Sequence, residues 1–137
     1  MRDLRVAAVQ FEHRDNDPSY NLSRIRDLTR RGVELGAQIV SFHEGCIHGY
    51  SWIQPLDKRR LLDMAEPVPE GPSVRALEAI ATEFQTVVMA GLFERDVQDR
   101  VWNTYVTVSP DGFVTKFRKL HPFVNPHLTA GSEYKVI

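Results

Sequence analysis

Two short apolar runs enclose a segment of helical period near the start of the chain, and this order constrains the fold more than any other feature. The first run spans residues 6–11 and the second residues 37–42. Between them, Asp17 is typical of a helix N-cap, Pro18 of a first helical residue and Gly36 of a helix end. The order strand, helix, strand predicts a right-handed crossover between two parallel strands. Because the first run is nearly continuous in apolar residues, we expect its strand to be covered on both faces.

The same order returns later in the chain. Pro72 begins a second predicted helix, and residues 87–93 form a third apolar strand. The pattern then changes to an antiparallel hairpin, with strands over residues 105–109 and 113–117. Residues 45–71 have no clear period, and we expect a long loop there, with or without one short helix. These elements together predict an α/β protein.

The composition is that of an ordinary globular domain. The chain has 137 residues, of which 42% are apolar and 26% charged. Its 17 basic and 18 acidic residues give a formal net charge of -1, which predicts no binding to nucleic acid or to an acidic membrane surface. A single cysteine, Cys46, excludes an internal disulfide framework and favours a reducing compartment. Without a signal-type apolar stretch or a segment of membrane-spanning length, we expect a cytoplasmic protein.

Two charged residues stand where strands should be burying hydrocarbon. Glu44 follows the second apolar run, and Lys119 follows the last strand of the hairpin. Because side chains alternate along a strand, Glu44 should continue the row of Val40 and Phe42, and Lys119 the row of Phe117. An unpaired buried charge is costly, so we expect the two head groups to meet in one partly dry pocket.

A carboxylate and an ammonium group in one pocket have the chemistry for acyl transfer. Ligands of open α/β sheets bind beyond the carboxyl ends of strands, where Glu44 stands, and a carboxylate there can act as a general base. Lys119 can hold a developing oxyanion. The residues alone leave three alternatives open: a structural ion pair, a Cys46-centred thiol hydrolase that uses His43 or His48, and a metal cluster of these three residues with Glu44.

Several motifs resemble the nitrilase superfamily of carbon–nitrogen hydrolases. Residues 6–11 (VAAVQF) are similar to its opening strand, and residues 39–50 (IVSFHEGCIHGY) to its strand, glutamate and Gly-Tyr segment. Residues 91–95 (GLFER) and 102–104 (WNT) resemble its third strand and the asparagine that follows. The hairpin and residues 116–121 (KFRKLH) resemble its lysine motif. The similarity covers almost all of this chain but only the first half of the family's domain.

The resemblance implies both a fold and a reaction. The fold is the N-terminal part of a four-layer α-β-β-α sandwich, with residues 1–137 forming a portion of a single carbon–nitrogen hydrolase domain. Glu44 would be the general base and Lys119 the oxyanion-stabilising lysine, while the nucleophilic cysteine lies outside this chain. The substrate would be a small-molecule amide or nitrile, hydrolysed through a thioester without a metal or organic cofactor, and the protein would be a homo-oligomer. The chain ends within what reads as a new strand at residues 135–137, as expected for part of a larger domain.

Four further residues are expected to bind substrate or support the site. Tyr50 and Trp52 are candidates for lining a substrate pocket, although aromatic side chains also cap cores. Asn103 should hydrogen-bond to backbone near the site, and His121 belongs to the lysine motif.

The chain departs from the family's pattern at two places. His43 precedes the glutamate where many members have proline, and no acidic residue occurs between residues 121 and 131, where many members carry a second glutamate. Asn125, His127 and Glu133 are candidates for that missing positioning role. The alternative function is a truncated, non-catalytic module that binds or complements another chain.

Overall fold

The computed structural model describes residues 3–135 as one mixed sheet with its helices. The elements are β1 (Val6–Val9), α1 (Pro18–Glu34), β2 (Ile39–Phe42), α2 (Lys58–Met64), α3 (Pro72–Phe84), β3 (Val87–Arg95), β4 (Val101–Ser109), β5 (Gly112–Arg118) and β6 (Leu128–Thr129), with a 3₁₀ turn at Ser51–Ile53. The strand order is β1-β2-β3-β4-β5, and β6 pairs with the start of β4. The strand predicted at residues 135–137 falls mostly outside the described residues.

The first crossover unit forms as predicted. The Asp17 carboxylate accepts a hydrogen bond from the Tyr20 N–H at 3.0 Å, and Pro18 is the first residue of α1. This cap satisfies one of the free donors at the helix start. β2 is parallel to both β1 and β3, which confirms the parallel crossover. β4 is antiparallel to both β3 and β5, which confirms the hairpin.

The prediction that the first strand is covered on both faces is wrong. β1 lies at one end of the strand order, and Val6 is 52% exposed. Ala7 and Val9 pack against the core below the helices, while Val6 and Ala8 face the other side of the sheet. Val6 and Ala8 are both exposed, so the apolar run is buried on one face only.

Three elements were predicted only in part or not at all from the sequence. α2 forms within the region expected to be mainly loop, and the Asp57 carboxylate caps it by accepting from the Arg60 N–H at 2.9 Å. β4 begins at Val101, four residues before the predicted start of its strand. β6 has only two residues, too few to give a periodic signal in the sequence.

The core lies between the sheet and the two long helices. α1 and α3 contact each other and cover the same face of the sheet. Ile25 of α1 and Leu77 of α3 pack there against Val40, Val88 and Val106 of the strands. Within residues 3–135, no helix combines the length and the apolar character needed to cross a membrane.

The face of the sheet opposite the two long helices, called the uncovered face below, carries the side chains that alternate with those of the core. Ser41, Met89, Tyr105 and Phe117 are only partly buried there. Their register places Met89 beside Thr107, and Tyr105 beside Phe117. This face is therefore the surface on which a site at the carboxyl end of β2 can open.

Replacing Leu77 with Ala should lower the free energy of unfolding by about 2–5 kcal/mol, because the side chain is fully buried between α3 and the sheet. Leu35→Ala is the matched control, since Leu35 is 77% exposed at the end of α1 and its loss should cost less than about 0.5 kcal/mol. Urea unfolding followed by circular dichroism measures both. Equal losses in the two variants would contradict the packing of α3 described here.

Candidate active site

The two charges singled out in the sequence meet in the folded chain. Lys119 Nζ donates a hydrogen bond to Glu44 Oε1 at 2.6 Å, across 75 residues of sequence. Asn103 Nδ2 donates to the same oxygen at 2.5 Å. Both bonds therefore end on the same oxygen of the Glu44 carboxylate.

The pocket around this pair is open, not dry as expected. The side chain of Glu44 is 42% exposed and that of Lys119 is 29% exposed. The pair stands on the side of the sheet opposite the two long helices, at the mouth of a cleft. Water therefore reaches both head groups, and the ion pair is worth little as a stabilising contact.

Glu44 reaches this face by a route that strand alternation does not predict. Val40 and Phe42 pack in the core below the helices, so a continued strand would have pointed Glu44 there too. Instead β2 ends at Phe42, and Gly45 takes a left-handed conformation with φ 64°. Glu44 and Lys119 therefore meet as predicted, but Glu44 does not continue the row of Val40 and Phe42.

Gly91 of β3 makes room for this turn. A Cβ atom at position 91 would lie 2.3 Å from the Gly45 nitrogen and 2.9 Å from the Glu44 Cα. The Ile47 N–H donates to the Gly91 carbonyl at 3.1 Å. The backbone of Glu44 thus lies directly against β3, at a distance that only glycine permits.

Lys119 is positioned by backbone bonds on both sides. β5 ends at Arg118, and the Lys119 N–H donates to the Asn103 carbonyl at 2.8 Å. The Lys119 carbonyl accepts from the Gly131 N–H, also at 2.8 Å. Its ammonium lies 5.9 Å from the centre of the Tyr50 ring and 5.5 Å from that of Phe123. The cation is thus held between two aromatic faces.

A cleft of about 250 Å³ opens beside the pair, and it is lined by Glu44, Asn103, Tyr105, Phe117 and Lys119. The Tyr105 hydroxyl donates to the Phe42 carbonyl at 2.5 Å and lies 2.8 Å from Ser41 Oγ. Burial raises the pKa of this tyrosine. Tyr105 and Phe117 were not among the sequence candidates. Alternation does point to them, since each lies two residues from Asn103 or Lys119 on the same side of its strand.

The other predicted residues divide into near and distant ones. Tyr50 lies beside the pair, where burial and the Glu44 charge raise its pKa. Asn103 contacts the carboxylate, so the expectation that its side chain bonds to backbone is wrong. The Trp52 indole N–H donates to the His48 carbonyl at 2.7 Å, and its ring packs on a core cluster. His121 is exposed and does not line the cleft.

The candidates for the role of the second glutamate are engaged elsewhere. Asn125 is buried and donates to the carbonyls of Ile53 and Leu56, both at 2.8 Å. Glu133 is exposed and pairs with Lys135 at 2.6 Å. His127 is also exposed. No contact in the described part of the chain links any of these three to Glu44 or Lys119.

Cys46 and the neighbouring histidines do not assemble a second site. Cys46 is fully buried in the core, where burial raises its pKa to about 12. His48 is buried too, and its Nδ1 accepts from the Phe93 N–H at 3.2 Å. His43 pairs with His13, nitrogen to nitrogen, at 3.2 Å, and burial and that neighbour lower its pKa. Among residues 3–135 no group of three or more His, Cys, Asp and Glu side chains is arranged to hold a metal ion.

The mixed sheet thus places a carboxylate and an ammonium in contact beyond the carboxyl end of β2. The family is shown by sequence: residues 5–136 match the model of the carbon-nitrogen hydrolases, and the chain belongs to that family.

Curated relatives include a nitrilase of Pyrococcus abyssi, 31% identical over 120 residues, and the omega-amidase NIT2 of Bos taurus, 33% identical over 124 residues. These matches cover 88% and 90% of this chain but 44% and 42% of the relatives. This chain thus spans less than half of their length.

Solved structures share the fold at low sequence identity. An N-terminal amidase superposes with a TM-score of 0.79 at 20% identity, covering 93% of this chain and 31% of that chain. An amidase from Nesterenkonia sp. has a TM-score of 0.74 at 20% identity, covering 95% and 49% respectively.

Cys46 should be unreactive towards the thiol reagent DTNB at pH 8 in the folded protein. Its pKa of about 12 lies far above that pH, so almost all of the thiol is protonated, and the side chain is shielded from solvent. Absorbance at the thionitrobenzoate band should rise only after denaturant is added. Rapid labelling of the folded protein would show that Cys46 is accessible, and Cys46 would again be a candidate nucleophile.

Gly91→Ala should displace the backbone at residues 44–45 and separate Glu44 from Lys119. We expect a loss of stability of about 1–3 kcal/mol from the added methyl group. A crystal structure of the variant would give the distance from Lys119 Nζ to Glu44 Oε1. Ala90→Gly is the control, since it removes a methyl group from the helix-facing side of the same strand and should leave that distance at hydrogen-bonding length. An unmoved Glu44 in the Gly91→Ala protein would refute the role given to this glycine.

Proposed function

We propose that this chain is part of an enzyme that hydrolyses non-peptide carbon–nitrogen bonds of small-molecule amides or nitriles, with Glu44 as general base and Lys119 as oxyanion-stabilising residue. The observation that carries the proposal is the 2.6 Å contact between these two side chains at the mouth of a cleft. Relatives named as a nitrilase and an omega-amidase support the reaction class.

The nucleophile in this proposal is a cysteine outside residues 1–137. Cys46 is unsuited to the role because it is fully buried and its pKa is raised to about 12. A thiol presented from above the uncovered face of the sheet would meet Glu44 at its second oxygen, Oε2. Asn103 and Lys119 leave that oxygen for proton transfer because both bind Oε1.

The proposed reaction moves one proton back and forth through Glu44. The carboxylate takes the thiol proton, and the thiolate attacks the amide or nitrile carbon. For an amide, Glu44 then returns the proton to the nitrogen, which leaves as ammonia as the thioester forms. For a nitrile, the proton goes to the nitrile nitrogen to give a thioimidate, a water molecule adds to the same carbon, and ammonia then leaves to give the thioester. The carboxylate next takes a proton from water as it attacks the thioester, and the acid product leaves with the thiol restored.

Lys119 has the donors to stabilise the oxygen that becomes negative during each attack. One of the three N–H groups of its ammonium is used by Glu44, which leaves two for a substrate oxygen. A preorganised donor of this kind is typically worth about 3–4 kcal/mol in the transition state. The aromatic rings of Tyr50 and Phe123 lie within cation–π distance of this ammonium. The reaction as proposed needs no metal or organic cofactor.

The walls of the cleft favour a small substrate with an apolar part. Tyr105 and Phe117 supply the ring surface next to the charged pair. We also propose that the protein is a homo-oligomer, as its resemblance to the family implies. The uncovered face of the sheet favours one alternative, a non-catalytic module that complements another chain.

Glu44→Gln and Lys119→Met should each lower kcat for amide hydrolysis in the complete protein by about 10²-fold or more, since one removes the base and the other the charged oxyanion donor. Ammonia release from simple amides and nitriles measures the effect. Cys46→Ala is the matched control and should keep most of the activity. The proposal fails if the Glu44 variant remains active, whereas inactivity of the complete unaltered protein on every amide and nitrile would favour the non-catalytic module.

A further inference from the structure

A second carboxylate lies on the opposite side of the sheet from Glu44, and the proposed reaction makes no use of it. Glu94 of β3 is 1% exposed, yet it remains charged because three residues surround it. Its Oε1 accepts from Lys116 Nζ at 2.6 Å, and its Oε2 accepts from Thr104 Oγ1 at 2.8 Å. The Arg118 guanidinium reaches both oxygens, Nε donating to Oε2 at 3.1 Å and Nη2 to Oε1 at 2.5 Å.

These bonds decide the protonation state of the buried acid. Burial raises the pKa of Glu94, but the hydrogen bonds from Arg118, Lys116 and Thr104 outweigh it, and the pKa lies below its usual range. A carboxylate held by a forked guanidinium and an ammonium has a defined geometry as well as a charge. These bonds therefore fix the position of the Glu94 carboxylate beside β4 and β5.

Arg118 is fixed from a second direction. Its guanidinium lies 4.0 Å from the centre of the Trp102 ring, and the Trp102 indole N–H donates to Asp96 at 3.2 Å. Arg118 is also the last residue of β5 in register with β4, where it lies opposite Thr104. Among the described residues, β5 pairs with β4 on one side and has no strand on the other. Glu94 and Trp102 together hold the end of β5 at Arg118.

The two carboxylate networks are joined through adjacent residues. On β5, Arg118 binds Glu94 and the next residue, Lys119, binds Glu44. On β4, Trp102 packs on Arg118 and the next residue, Asn103, binds Glu44. Because neighbours on a strand face opposite sides, a shift of Arg118 carries the Lys119 ammonium with it.

We propose that Glu94 is a positioning residue for the reaction: through Arg118 it fixes the end of β5 and so places the Lys119 ammonium against Glu44. The expected loss of activity rests on the proposed function, whereas the expected change in the Glu44–Lys119 distance does not. Glu94 touches no reacting group and acts only through its neighbour.

Glu94→Gln in the complete protein tests the proposal, since it keeps the shape of the side chain and removes the charge that holds Arg118. We expect kcat to fall about tenfold or more with KM nearly unchanged, as a displaced catalytic group lowers the rate without weakening ground-state binding. The crystal structure of the variant should show Lys119 Nζ out of hydrogen-bonding distance of Glu44 Oε1. Should Glu94→Gln fail to fold, Arg118→Lys keeps the positive charge but loses the fork, and the same two results are expected.

Lys116→Met is the matched control, because it removes a cation from the same carboxylate and leaves Arg118 in place. It should lower the unfolding midpoint in urea while kcat and the Glu44–Lys119 distance stay as in the unaltered protein. An intact contact and unchanged kcat in folded Glu94→Gln or Arg118→Lys protein would overturn the proposal, as would a loss of the contact in Lys116→Met alone. If the complete unaltered protein hydrolyses no amide or nitrile, the proposed function fails, and the measured distance still decides the role of Glu94.

Discussion

The alternation of side chains where the start of β4 pairs with the end of β5 is the constraint on which the rest of the site depends. Trp102 and Arg118 face the helices, whereas their neighbours Asn103 and Lys119 face the uncovered side. A single register, with Thr104 opposite Arg118, therefore fixes both sets at once. A slip of one residue would exchange them and bring Arg118 to the place of Lys119.

Local signals in the sequence predicted the elements that carry this site. The Asp17-Pro18 start of α1 and the Pro72 start of α3 are short-range patterns, and both helices begin where these residues place them. The pairing of Glu44 with Lys119 was predicted from the cost of unpaired buried charges, although both head groups are in fact reached by water. What that argument did not contain was the turn after Phe42, which carries Glu44 to the other face of the sheet.

The features that sequence reasoning missed depend on contacts between distant segments. Gly91 was quoted only as the first residue of the motif at 91–95, because its role requires the backbone of residues 44–45 to lie against it. Glu94 was seen only as one residue of a motif, since its three donors come from β4 and β5. The exposure of β1 was missed for a related reason: an apolar run shows that a strand can be covered, but not by what.

The side chains of Glu44 and Lys119 are partly exposed, and this chain has only part of the length of its relatives. This chain matches the carbon–nitrogen hydrolase family over residues 5–136 and spans less than half of the curated relatives. The base and the oxyanion donor of the proposed reaction stand on that open face, where Glu44 is 42% exposed. A nucleophile approaching from beyond the described residues would close the site over the pair and remove it from water.

The central claim is that Glu44 and Lys119 serve a cysteine other than Cys46. The most direct measurement is to trap the acyl intermediate by rapid acid quench of the complete protein with an amide or nitrile substrate, and to locate the adduct by peptide mass spectrometry. The account predicts a thioester on a cysteine outside residues 1–137, absent when Glu44 is replaced by Gln. An adduct on Cys46, or one that forms equally well without the Glu44 carboxylate, would contradict it.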